Sequence, residues 1–527
     1  KFCPKAPDLH TKKPSHPMRL PGFLHQKGKP FQVRIVEEND VERLSVQEVI
    51  DLVELEIKED EVEAPITREE VSQALQRNMD GDSDLFKRLN HENFCFDTET
   101  EKWFVWKNHF WEEDVLRYSM KAIESVVPYY HRAVDDLQRA IEAERSKENF
   151  DKDEVKALQK RKEYIKGRIL SLHTRKRKED ILCLAAIGED GLGIITEWDS
   201  MPGQLPCQNG VIDLSTGKLR PGDQSDFVRT VVPVEYDPGA ECPLWDEFIS
   251  TIHTNQGLEP DAELAAFVQR LFGYAITGKA NEDIMPILYG PHGRNGKTTM
   301  LKAIQHVLGS FVGVIEKTTL IQNRYQSGGG AARQDLFEIR HKRINWISEL
   351  GSKDRIDTEL FKKLTGGDPL KARGMFAKRS VEFVPEHVMF MLTNNKPTIP
   401  IRADDSSWSR LKVVVPYYLH FTDKPTELFH RKIDLVIEEK LFQEKQGILN
   451  WLVKGALEYY ENGLQIPDSV IEEAKRYKDD QDVVGRFLSA YVDFTANESD
   501  YIKTTLLFHV FDRWLQDEEG STMKKKT

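Results

Sequence analysis

"ILYGPHGRNGKTTM", residues 287–300, is the stretch whose reading decides the fold. An apolar run, Ile287 to Tyr289, enters a glycine-rich turn and then "KTTMLKAIQHVLG". In that segment Met300, Leu301, Ile304, Val307 and Leu308 fall on one helical face, and Gly309 is a stop signal. Strand, turn and helix in this order are the context of a phosphate-binding loop, G-x-x-x-x-G-K-[ST], where backbone N–H groups and a helix N-terminus face the phosphates. Counted strictly, the stretch misses the pattern by one residue: Pro291 stands where the first glycine belongs, between Gly290 and Gly293. The extra residue is absorbed if Gly290 and Gly293 share the turning and Gly296, Lys297 and Thr298 keep their places. The spacing predicts a nucleotide site built from Gly290, Gly293, Asn295, Gly296, Lys297, Thr298 and Thr299. Lys297 is then expected at the β/γ-phosphates of ATP and the Thr298 hydroxyl on Mg2+. A glycine-rich turn carrying a chance Gly-Lys-Thr is the competing reading, and what lies downstream decides between them.

Downstream, "HKRINWISEL" reads as a buried strand ending in Ser348-Glu349. That is where a P-loop ATPase places the acid that polarises the attacking water, so Glu349 is the candidate base and, with Thr298, a candidate metal contact. Ser348 stands where an aspartate usually assists the metal, so the ion must lean on Thr298, Glu349 and the phosphates. A further strand, "EHVMFMLTNN", delivers Asn394 and Asn395 to the carboxyl edge of the sheet, where open α/β sheets bind ligands. Asn394 is the candidate sensor of the γ-phosphate. "IPIRADDSSWSRLKVVVPY" sets Arg410 just before another apolar strand, the position of a candidate arginine finger. Taken alone, Glu349 is an ordinary strand-end carboxylate and Arg410 a surface arginine; their order behind the loop is what raises them.

Between these motifs, "KKLTGGDPLKARGMFAKRSVEFVPEH" reads as a turn at Gly366–Pro369 followed by two short strands. Lys371, Arg373, Lys378 and Arg379 are expected around the bend, a local positive charge suited to the phosphates of a single nucleic-acid strand. A basic surface hairpin without ligand is the plainer alternative.

The bulk composition sets limits around this site. A chain of 527 residues suggests roughly three or four domains. The net charge of −13 excludes a protein coated with basic surface, though not a basic patch confined to a channel. No apolar run approaches the roughly 18 residues of a membrane span. Cys3, Cys95, Cys183, Cys207 and Cys242 form no C-x-x-C pair, against a zinc module or disulfide framework, and the expected setting is reducing and cytoplasmic. The opening "KFCPKAPDLH" has no signal or transit layout and reads as the start of a piece cut from a longer protein.

Upstream of the loop, residues 65–180 read as mostly helical, interrupted by "FCFDTETEKWFVWKNHFWEED" as a hairpin. Trp103, Trp106 and Trp111 there are read as packing of a small sheet in preference to base stacking, because large aromatics at period two mark a buried face. "NGVIDLSTGKLRPGD", 209–223, is a second hairpin turning at Ser215-Thr216-Gly217. The basic run near 175 reads as a solvated helix face.

The order of the motifs resembles superfamily 3 helicases, and more narrowly the phage/plasmid and poxvirus-type primase-helicases, in which "GRNGKTT" and "ISE" are familiar forms of the first two motifs. The resemblance implies an α/β P-loop (AAA+-like) ATPase core, a preceding mixed α+β, mainly helical domain, and a small helical or winged-helix C-terminal region. The expected division is 1–60, the tail of a primase-polymerase-like domain suggested by "MRLPGFLHQKGKPFQV"; 61–240; 241–420; and 421–527. It also implies ATP-driven DNA unwinding in phage or mobile-element replication, on single-stranded or forked DNA, by a homo-oligomeric, hexameric ring. In such a ring Arg410 acts on the neighbour's ATP; the family's preceding arginine is here Ser409. The alternatives are an ATP-dependent DNA-binding initiator or defence ATPase that does not unwind, and, ranked last, a small-molecule phosphotransferase.

Overall fold

Five parallel strands carry the architecture: β1 (Ile287–Tyr289), β2 (Val312–Ile315), β3 (Ile344–Ile347), β6 (Val388–Thr393) and β7 (Val414–Pro416), in the order β2-β3-β6-β1-β7. β4 (Leu370–Ala372) and β5 (Val381–Phe383) form a separate antiparallel pair between β3 and β6. The computed structural model describes residues 24–25, 31–32, 66–195, 198–321, 333–348, 350–351, 354–375, 380–399, 408–495 and 501–519. Contacts divide the chain into two units, Lys1–Arg68 and Glu69–Thr527. In the first, Leu24–His25 pairs antiparallel with Phe31–Gln32.

The central strands are mostly apolar because a parallel sheet is covered on both faces; fully buried Asn345 in β3 is the exception in mid-strand. "VMFMLT" of β6 is buried at every position. Its period of two splits it cleanly: Val388, Phe390 and Leu392 join one hydrophobic cluster, while Met389 and Met391 join another on the opposite face. The first face is covered by α2 (Ala262–Ile276), α3 (Lys297–Leu308) and α6 (Lys445–Asn462). The second is covered by α4 (Thr358–Thr365), the β4/β5 pair and Tyr477 of α7 (Asp468–Gln481). α1 (Pro243–Ile252) and α5 (Ile437–Gln443) flank the first face.

This core runs across the boundaries expected near 240 and 420. Leu205, Ile212, Leu214, Val232 and Val234 belong to the same cluster as α2 and α3, and so do Leu449, Leu452 and Val453 of α6. α2 and α6 touch backbone to backbone: a Cβ added to Gly273 would meet the Gly455 carbonyl carbon at 2.0 Å, and one added to Gly455 would meet the Gln269 oxygen at 2.2 Å. Buried Arg343, just before β3, donates to the Thr277 and Met201 oxygens at 3.3 and 3.0 Å, fastening 201 to the sheet.

Ahead of the sheet, helices Val127–Arg145 and Lys152–Leu172 pack together, the second capped by Asp151, which accepts from the Asp153 and Glu154 amides. Asp82, fully buried, gathers Arg168, Arg177 and the Tyr130 hydroxyl. With Lys178 on Glu124 and Arg175 on Glu179, the basic run near 175 is largely neutralised by the protein itself. Trp111 is buried, Trp106 packs beside it with ring centroids 5.1 Å apart, and Trp103 packs against Phe86 and Phe96, so the tryptophans serve a small sheet core. The second hairpin is present as Gly210–Asp213 against Lys218–Arg220, with Gly217 at φ +70°, and gains a third strand, Gln204–Cys207. Beyond β7 a short parallel pair, His420–Thr422 with His430–Lys432, is followed among the described residues by helices alone. No described helix is long and apolar enough to cross a membrane.

Candidate nucleotide site

The loop leaves β1 and enters α3 as the sequence requires, and Met300, Leu301, Ile304, Val307 and Leu308 are all buried on the helix's inner side. Its bend is made differently from the expectation. Gly290 and Gly293 do not adopt a left-handed backbone; the positive φ angles fall at Arg294 (+56°) and Gly296 (+89°). Gly290 is needed for close approach, because a Cβ there would lie 2.1 Å from the Asn295 Nδ2 and 3.0 Å from the Lys297 Nζ. Gly296 meets both demands, since its Cβ would also strike Ile252 of α1 at 2.6 Å.

Lys297, the first residue of α3, is 5% exposed. Its Nζ donates to the Asn394 Oδ1 at 3.0 Å and lies 5.7 Å from the centre of the Tyr417 ring. Burial lowers its pKa to about 8. A buried ammonium held by an amide and a ring is electrostatically suited to an anion. Asn394 is thereby brought to the loop from the carboxyl end of β6, as its spacing predicted. The Thr393 hydroxyl below it donates to the Leu350 oxygen at 3.2 Å and accepts from the Asn395 amide at 3.0 Å, fixing the turn that presents Asn394.

Asn295, also buried, donates from Nδ2 to the His292 oxygen at 2.7 Å and braces the outer turn from within. Thr298 is exposed at the start of α3, so its hydroxyl can face a ligand, and Thr299 donates to Glu438 of α5 at 3.4 Å. Among the described residues no three His, Cys, Asp or Glu side chains converge to hold a metal ion. Ser348 follows β3 directly; Glu349 lies outside the described residues.

Arg410 is not beside the loop. Its carbonyl accepts from the Met285 amide, ahead of β1, whereas Tyr417 donates to the Tyr289 oxygen at the strand's far end. Arg410 and Lys297 therefore lie at opposite edges of one parallel sheet. The guanidinium donates to the Thr365 hydroxyl at 3.0 Å and the Lys362 oxygen at 3.4 Å, at the end of α4.

The antiparallel pair exists, and among the described residues one of its expected basic side chains lies away from the bend. Lys371 lies within β4 directly across from Glu382 of β5, not at the bend, because the strands extend through 372 and 381. Arg373 follows β4, half-buried, its carbonyl accepting from the Arg333 amide. Lys378 and Arg379 lie outside the described residues.

A strap after β7 holds the outer turn, and nothing in the sequence motifs announced it. The Phe421 amide donates to the Arg294 oxygen at 2.8 Å, a His420 Nδ1 hydrogen bond reaches the Gly293 oxygen at 2.6 Å, and Phe429 stacks on His292 with centroids 4.4 Å apart. Beneath Lys297, Tyr417 pairs its hydroxyl with the Nε2 of fully buried His253 at 3.1 Å. The only local signal is the density of aromatic and histidine residues in "PYYLHF".

Comparison with known proteins agrees in outline. Residues 83–254 match a family described as D5 N terminal like, and residues 288–410 match a family of unknown function (DUF5906). The chain is 25% identical over 438 residues to a candidate helicase of Acanthamoeba polyphaga mimivirus, covering 80% of this chain and 44% of that protein. It is 24% identical over 337 residues to a candidate helicase of Invertebrate iridescent virus 3, covering 60% and 35%. The chain thus spans less than half the length of these relatives. An apo structure of the NrS-1 C-terminal region aligns over 82% of this chain and 88% of that one, at 10% identity and a TM-score of 0.41. The chain is thus similar to a D5-type family over 83–254 and, at 24–25% identity, to viral proteins named as helicases.

Proposed function

We propose that the chain is an ATP-driven DNA helicase of superfamily 3 type, built on a P-loop core. The observation that carries this reading is the buried Lys297, presented by a strand-loop-helix at the carboxyl edge of a parallel sheet and held by Asn394. The loop amides and Lys297 bind the triphosphate, and Asn394 releases the ammonium to sense the γ-phosphate. Thr298 is the hydroxyl ligand for Mg2+, which when bound spreads the developing charge on the phosphoryl oxygens. Glu349 takes the proton of the attacking water as the γ-phosphoryl group passes to it and ADP leaves. Arg410, remote from its own loop, completes the site of a neighbouring subunit in a ring, while Arg373, Lys378 and Arg379, with Lys371 at the base, line the path of single-stranded DNA. The parent protein carries a primase-polymerase-like part upstream.

Forked-duplex unwinding and DNA-stimulated ATP hydrolysis test this together. Lys297→Ala is expected to lower both by at least about a hundredfold. Stimulated hydrolysis without strand displacement by the wild type would instead identify a DNA-binding switch, and hydrolysis indifferent to DNA would remove the helicase reading.

A further inference from the structure

Under the phosphate loop, segments far apart in the chain meet: the end of α1, the first turn of α3 and the residue after β7. Tyr417, which follows β7, is fully buried, and the Lys297 ammonium stands over its ring, 5.7 Å from the centre. The Tyr417 amide donates to the Tyr289 oxygen at 2.7 Å. Its own carbonyl oxygen would lie 2.9 Å from a Cβ at Gly290, so its backbone is packed against the first residue of the loop. His253 ends α1, its backbone N–H closing the last turn onto the Ile249 oxygen at 3.2 Å. Its ring is fully buried too, with its centroid 5.1 Å from that of Tyr417. Ile252, one residue earlier, is the side chain that denies Gly296 a Cβ.

The hydrogen bonds decide which group donates. The His253 Nδ1 lies 2.8 Å from the Ile249 carbonyl oxygen, which can only accept, so Nδ1 carries the proton. Nε2 is then the acceptor, and the Tyr417 hydroxyl donates to it at 3.1 Å. Burial lowers the histidine's pKa to about 4, which keeps this neutral tautomer in place at neutral pH. The Met300 Sδ, on the inner side of α3, is 3.8 Å from the same hydroxyl. A phenol and an imidazole are costly to bury in a core where leucine or phenylalanine would leave no polar atom to satisfy. What the two polar groups add is orientation: with its hydroxyl anchored on α1, the ring keeps its face toward the ammonium.

We infer that His253 and Tyr417 are a positioning pair for Lys297: His253 fixes the Tyr417 ring, and the ring holds the ammonium at the loop while its partner changes from Asn394 to the phosphates. Neither side chain touches the nucleotide; both act through Lys297. The inference rests on the nucleotide reading of the loop. Its own grounds are the ring under the ammonium, the one-way hydrogen bond that orients the ring, and a cation–π attraction that strengthens where water is excluded.

Calorimetric titration of the full chain with ATP and Mg2+, arranged as a double-mutant cycle, tests this. Lys297→Ala is expected to weaken ATP about tenfold or more, and Tyr417→Leu about tenfold. Placed in the Lys297→Ala chain, Tyr417→Leu should cost less than about twofold, because the ring then has no ammonium to hold. Tyr417→Phe, which keeps the ring, should recover ATP affinity to within about threefold of the wild type. His253→Gln offers the hydroxyl an acceptor and His253→Leu offers none, so the second should bind ATP about threefold more weakly than the first. A Tyr417→Leu loss of the same size with and without Lys297, or no loss at all, overturns the inference and leaves the nucleotide site standing. Wild-type ATP affinity in Lys297→Ala, or a wild type that does not bind ATP, overturns the nucleotide site itself. If Tyr417→Leu loses its helical circular-dichroism signal, the two His253 variants decide, and equal ATP affinity in them overturns the inference.

Discussion

At the scale of single residues, Lys297 carries the most consequence. Its folded pKa of about 8 lies below the ordinary 10.5, so the native chain loses this proton before the unfolded chain does. Between those values the unfolded state binds more protons, and the ligand-free protein gains stability from this group as pH rises. Phosphate binding needs the ammonium and so runs the opposite way. ATP affinity should fall as pH climbs past about 8, approaching tenfold per unit, whereas Lys297→Arg, which keeps its charge, should bind ATP with a flat profile. Titrations between pH 7 and 9.5 check this, and a flat wild-type profile would remove Lys297 from the phosphates. Gly290, Gly293 and Gly296 show how far single residues could be read from sequence. Their type and spacing located the loop, but which of them turns and which makes room depends also on Ile252 and the strap, contacts made by residues distant in the chain.

At the scale of elements, the tightest junction is the α2/α6 crossing at Gly273 and Gly455. An alanine inside a helix ordinarily gains about 1 kcal/mol over glycine through propensity. Here the added methyl would meet backbone atoms at 2.0–2.2 Å, which cannot swing aside, and overpacking of that kind costs about 1–3 kcal/mol or more. Gly273→Ala should therefore be destabilising by about 2 kcal/mol, net. Gly167→Ala, in a helix where a Cβ meets nothing within 4 Å, should stabilise by about 1 kcal/mol. Denaturant unfolding of the two variants side by side checks the pair, and a gain in both would mean that α2 and α6 do not touch. This crossing also marks the limit of reading elements from sequence. β1, β3, β6, β7 and α3 were legible because a buried strand or an amphipathic helix has its own period. That α6 shares a core with α2, or that the strands at 204–220 join it, was not, because both depend on packing between segments distant in the chain. The β4/β5 pair was legible as strands, while its register, which sets Lys371 against Glu382, was not.

At the scale of the whole molecule, the expected trans role of Arg410 makes assembly a requirement for activity. Mass measurement with ATP analogue and oligonucleotide should find a closed oligomer, and a strictly monomeric particle under all conditions would sink that role. Mixing Arg410→Ala chains with Lys297→Ala chains should restore hydrolysis above either alone, because intact halves of a site then meet at some junctions. The sheet constrains any such assembly. With Lys297 at one end of the parallel strands and Arg410 at the other, a pair related by a twofold axis completes its sites only if one shared patch carries both residues. Head-to-tail arrangements are polar, each copy facing the back of the next. They close into a ring when the rotation between copies divides a full turn, and continue as a helical filament when it does not.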